Sequence, residues 1–187
     1  MSTSLPGFES PAVGFDQPFE MLEACHDRVR RSLTLLARLV DYLTEHPPDA
    51  RSASAARDVL RYFELAAPLH HQDEELHVFP RLERAADPAL GAAVARLRAD
   101  HRRMEALWSE LQPLLRRWSD DALPGEGGAV SAETVRPLAA EFAALYEQHL
   151  VVEESLAFPA ARADIDDAAL AAMSLDMAQR RTTSAER

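Results

Sequence analysis

Two stretches of the chain share one pattern, His-x-x-x-Glu-Glu-x-x-x-Phe-Pro. The first runs from His70 through Glu74, Glu75 and Phe79 to Pro80, and the second from His149 through Glu153, Glu154 and Phe158 to Pro159. On a helix, residues four apart share a face, so each copy offers an imidazole nitrogen and a carboxylate to one point. Neutral imidazole and carboxylate are good ligands for iron, manganese or zinc, and a carboxylate can join two ions. Two copies in one chain predict two half-sites that face each other.

The elements that must position these groups follow from the spacing of apolar residues. The first helix starts near Asp16-Gln17-Pro18, with Asp16 as cap and Pro18 in the first turn. Its stripe is Leu22, Val29, Leu33, Leu36, Val40 and Leu43, with His26 inside it, and Pro47-Pro48 ends it. The second begins between Asp49 and Ser54 and carries Val59, Phe63, Ala66, His70, Glu74 and His77, with Pro68 expected to kink or divide it. The third follows Asp87-Pro88 and carries Leu90, Val94, Leu97, His101, Met104, Trp108 and Leu111. Ser131 caps the fourth, whose stripe is Val135, Leu138, Phe142, Leu145, His149, Glu153 and Leu156. Residues 119 to 131 read as an acidic, Gly-rich loop, a short further helix is expected at about 166 to 179, and Arg180 to Arg187 as a frayed end.

Nothing in the chain alternates like a strand. The expected fold is all-α: an antiparallel up-down four-helix bundle with internal duplication about a pseudo-two-fold axis, plus a short C-terminal helix. The expected organisation is a tail over residues 1–15, the bundle over 16–162 and a partly helical extension over 163–187.

Four histidines thus fall in core stripes, one per helix, and two glutamates join them. The expected metal ligands are His26, His70, Glu74, His101, His149 and Glu153. Four imidazoles and two bridging carboxylates suit a di-iron or di-manganese centre; zinc more often takes four tetrahedral ligands. Without a metal, six polar groups would be buried together, each unsatisfied one costing about 1–3 kcal/mol. Glu105, four after His101, and His77, three after Glu74, are further candidate ligands. His71, Glu75 and Glu154 point away from their neighbours and read as flanking groups or supports of the ligands. Tyr146 and Tyr62 read as core residues or donors near the site, Cys25 as an apolar filler, and His46 as surface.

Composition excludes several function classes. The net charge is -11, which opposes binding to nucleic acid or to anionic lipid. Every basic side chain is Arg, so no lysine nucleophile or Schiff base exists. The single cysteine allows neither an internal disulfide nor a Cys-ligated cluster. No basic, apolar leader and no long apolar run are seen, so a cytoplasmic location is the expectation.

These residues, His26, His70 to Pro80, His101 and His149 to Pro159, make the chain resemble the hemerythrin-like family, also called the HHE cation-binding domain, over about residues 16 to 162. The resemblance implies a four-helix bundle with a non-haem pair of iron ions bridged by carboxylates and an oxygen species, with Mn or Zn as substitutes. It implies a small diatomic ligand or peroxide as partner; no protein partner is indicated. The oxygen carriers of the family place an Asp five after the fourth-helix His and a second His four after the third-helix His. Here Glu153 lies four after His149, and Glu105 takes the second position. These departures weigh against reversible O2 carriage. They favour iron handling, O2 or NO sensing, and peroxide or NO chemistry, and the six-ligand set makes the first reading a metal domain that binds or senses O2, NO or peroxide, or handles iron. The alternatives are a di-iron enzyme consuming peroxide or NO, and a bundle that metal merely stabilises.

Overall fold

The computed structural model describes residues 14–119 and 130–185, with side chains through residue 182. Residues 1–13 of the tail expected over 1–15, and the acidic loop residues Asp120, Asp121, Gly125, Gly127 and Gly128, lie outside the described residues. No strand occurs among those described. Helix α1 spans Pro18–Glu45, with Pro18 in its first turn. Gln17 stands at its cap and no side chain closes it, so the cap role expected of Asp16 is not realised. Helix α2, Ala50–Arg61, starts from a capping box in which Asp49 accepts from the backbone N–H of Arg51 and Ser52. After a turn at Tyr62–Ala66 the chain continues as α3, Ala67–Asp73, and after another at Glu74–Val78 as α4, Phe79–Arg84. Helix α5 is Pro88–Ser119 and α6 is Ala132–Val152, the latter capped by Ser131. A third turn at Glu153–Ala157 leads into α7, Phe158–Ala163, and α8 follows at Asp167–Ala185.

These elements form a helical bundle in which α1 and α5 each pack against both α2 and α6. No helix among the described residues is long and apolar enough to cross a membrane.

The three intervening turns are π-helical, and their cause is visible in the sequence. Each is followed by X-Pro: Ala67-Pro68, Phe79-Pro80 and Phe158-Pro159. Proline lacks an N–H and its ring clashes with the carbonyl four residues back. The helix absorbs the clash by inserting one residue. Accordingly, the N–H groups of Ala67, Phe79 and Phe158 reach the carbonyls of Tyr62, Glu74 and Glu153, five residues back. The extra residue rotates everything after it. Ala67, Val78 and Ala157 are therefore buried, where an unbroken helical period places Ala66, His77 and Leu156; Leu156 is 38% exposed.

The core is divided into two apolar clusters. One holds Val29, Leu36, Phe63, Met104, Leu111, Phe142 and Tyr146. The other holds Phe19, Leu22, Val78, Phe79, Leu97, Phe158, Met173 and Met177. His26 lies in sequence between Leu22 and Val29, and His101 between Leu97 and Met104. The polar residues therefore form a layer between two greasy ends.

Helix α8 is longer than expected and is fastened rather than frayed. Met173 and Met177 are fully buried. The fully buried carboxylate of Asp73 receives Arg180 at 2.6 Å and Arg181 at 2.6 Å. His77 pairs with Asp176 at 2.7 Å. Asp73→Asn keeps the shape and removes the charge, so the two guanidinium groups lose this anion. The expected cost is about 3 kcal/mol, a fall in Tm of roughly 6–12 °C for a chain of this size. Thermal melting checks this, and limited proteolysis should show earlier cleavage between α7 and α8.

Candidate metal centre

Six polar side chains meet in the layer between the two apolar clusters. Helix α1 contributes His26, α3 His70, α5 His101 and α6 His149. Glu74 and Glu153 each open a π-helical turn. All six are buried, with at most 2% exposure.

Their atoms sort into two groups. The first is His26, His70, Glu74 and Glu153; the second is Glu74, His101, His149 and Glu153. Within each, one donor atom per residue lies within 4.8 Å of the others. The two glutamates belong to both groups, one oxygen to each. Glu74 Oε1 is 3.0 Å from His70 Nε2, and its Oε2 is 3.3 Å from His101 Nε2. Glu153 Oε2 is 3.2 Å from His26 Nε2, and its Oε1 is 3.1 Å from His149 Nε2. Both carboxylates span the gap between two pairs of imidazoles.

A cation fits this arrangement. His26 Nε2, His70 Nε2 and all four oxygens of Glu74 and Glu153 are buried without a hydrogen-bond partner among the described residues. The lone pairs converge on shared points instead of aiming at one another. Two buried carboxylates without cations would be costly, and protons offset that cost when no metal does so. Burial disfavours a charged His26, yet the neighbouring Glu153 and Glu74 outweigh it and raise its pKa to about 9. Burial also opposes charge on His70, but Glu74 beside it carries the pKa well above its ordinary value. For Glu74, burial acts upward, and His70 with the other imidazoles holds the carboxyl well below its usual range.

The second glutamate of each motif works across the bundle. Glu154 accepts from His26 Nδ1 at 2.9 Å and is itself gripped by Arg30 at 2.7 Å. Glu75 accepts from His101 Nδ1 at 3.0 Å and is gripped by Arg98 at 2.8 Å. Each motif thus places its first carboxylate in the site and uses the next to orient an imidazole on another helix. Such an anchor sets the tautomer, keeps Nε2 free for a metal and increases its basicity. The correspondence extends one step further. Cys25, just before His26, adjoins His70. Asp100, just before His101, lies 3.5 Å from His149 Nδ1.

The other candidates lie elsewhere. His77 is turned aside by the π-helical insertion and pairs with Asp176, so it joins neither group. Glu105 is exposed and joins neither group; it lines a cleft of about 500 Å³ that reaches His101. His71 is more central than its flanking position implied. Its ring stacks on His101 with centroids 4.0 Å apart, and Tyr146 Oη lies 3.4 Å from its Nε2. Burial and the adjacent His101 hold the His71 pKa well below its ordinary value, so the ring is neutral. The signal for the anchoring pairs was the repeated Glu-Glu together with Arg30 and Arg98; nothing in the spacing marks His71.

Two outcomes follow. Glu154→Ala and Glu75→Ala each release one imidazole and should lower metal affinity about 10–100-fold, in the His26 and His101 halves respectively, as read by competition titration. Because the His26 pKa is raised to about 9, a metal entering below that pH displaces its proton. Apparent affinity should therefore rise with pH up to that value, by about tenfold per pH unit for each proton displaced.

A protein from Haemophilus influenzae, described only as uncharacterized, is 32% identical over 142 residues, which make up 76% of this chain and 77% of that one. The family model of the hemerythrin HHE cation binding domain matches residues 17–161, a span containing all six converging side chains. The chain belongs to the hemerythrin HHE cation-binding domain family.

Proposed function

We propose that this chain holds two iron ions with a bridging oxygen atom and uses them to bind or sense O2, NO or peroxide, or to handle iron. One observation carries the reading: Glu74 and Glu153 each turn one oxygen to each pair of imidazoles. His26 and His70 would hold one ion, His101 and His149 the other, and both glutamates would join them. Four imidazoles and two carboxylates match the hard-to-borderline preference of iron and manganese. When bound, the iron pair supplies a redox-active centre with Lewis acidity.

The protein's part is to aim the donors and shield them. Glu154 and Glu75 hold the Nδ1 protons of His26 and His101, while the two apolar clusters close the layer off on either side. The matching order of donors in the two halves supports an antiparallel up-down four-helix bundle with internal duplication, spanning 16–162, and residues 163–187 as its extension. A cytoplasmic setting fits the absence of structural cysteines.

The cleft that ends at His101 favours a second reading, an enzyme that consumes peroxide or NO.

The test is metal analysis of the isolated protein and after anaerobic Fe2+ loading, with visible spectra before and after NO or peroxide. About two irons per chain and a ligand-dependent spectrum are expected. Glu74→Ala and Glu153→Ala, each of which removes a bridge, should both retain at most one iron. Retention of two irons by both variants would overturn the bridging assignment, and sustained peroxide or NO consumption would select the enzyme.

A further inference from the structure

The cleft beside His101 is far larger than a diatomic ligand requires. Its volume is about 500 Å³, whereas a water's share of liquid volume is about 30 Å³. It falls within the size range of sites for small organic molecules. Phe63, Ala67, Met104, Trp108 and Phe142 form an apolar wall, and His71, His101 and Tyr146 form its polar inner end. Aromatic walls with a few convergent polar groups at one end are the usual composition of such sites.

The π-helical turn Tyr62–Ala66 and the helix start at Pro68 run along this face, and Phe63, Ala67 and Pro68 from this segment line the cleft. Leu65 is turned outward, 62% exposed, and Leu76 at the rim is 56% exposed. Such turns recur at functional sites.

Charge narrows the ligand class. No Arg lines the cleft; its acidic groups are Glu75 and Glu105. These carboxylates disfavour an anion. Arg98, which grips Glu75 from outside, and the cation-holding layer behind His101 disfavour a cationic head.

We propose that this cleft binds a neutral organic molecule with an aryl or branched-alkyl body and a hydroxyl or hydroperoxyl head. The body lies against Phe63, Trp108 and Phe142, and the head faces His71 and Tyr146 beside His101. This rests on the reading of the layer as a metal centre for the placement and the neutral charge of the head; the apolar wall stands independently.

The test uses 2-phenyl-2-propanol as an unreactive probe, titrated calorimetrically into the full chain as isolated and after anaerobic Fe2+ loading. Saturable one-to-one binding is expected, with benzoate at least about tenfold weaker. Gln72→Phe narrows the rim from an exposed position and does not touch the core; Ala67→Phe fills the wall. Each should raise the probe's Kd about tenfold or more while iron content stays that of the parent chain. Absence of saturable binding, equal affinity for benzoate, or affinity unchanged in Gln72→Phe would overturn the proposal. Probe binding by a chain that takes up no iron would uphold the cleft and defeat the metal reading; two irons without probe binding would do the reverse.

Discussion

Two buried carboxylates dominate this molecule. Glu74 and Glu153 sit at zero exposure between two apolar clusters, where isolated negative charge is strongly disfavoured. Everything around them works to offset that charge. Four imidazoles face them, protons are drawn onto His26 and His70, and the arginines remain outside, holding the next carboxylates along. A cation in each group answers the same demand more fully, because it satisfies both oxygens and imidazole lone pairs at once.

The π-helical turns supply the geometry that ordinary helix would not. An unbroken helix carrying His-x-x-x-Glu continues its inward face three or four residues later. In both motifs the Phe-Pro step inserts a residue directly after the first glutamate. The chain then turns Phe79 and Phe158 inward as fully packed rings beside the imidazoles: Phe79 lies 5.5 Å from His101 and Phe158 5.1 Å from His26, centroid to centroid. Proline therefore shapes the floor of the site as well as the helix.

Much of this was legible in the chain. The i, i+4 spacing identified His70, Glu74, His149 and Glu153, and the apolar stripes added His26 and His101, because both are local properties of helix. The capping by Ser131, the start of the second helix between Asp49 and Ser54 and the stop before Pro47 were legible for the same reason. The register beyond each π-helical turn was not, since an apolar stripe read at one constant period places His77 and Leu156 inward where Val78 and Ala157 belong. The pairs Glu154–His26 and Glu75–His101 depend on which helices adjoin, which no single helix encodes. The fastening of α8 was hidden likewise: Arg180 to Arg187 read as a frayed end, whereas Arg180 and Arg181 grip Asp73 on another helix.

Asp73 and Glu74 are adjacent, yet one faces the C-terminal helix and the other the polar layer. One stretch of backbone therefore serves both the docking of α8 and the polar layer. If an ion bound in the layer stiffens that stretch, it would tighten the grip of α8, and α8 would return the same factor to the ion, since such coupling is reciprocal.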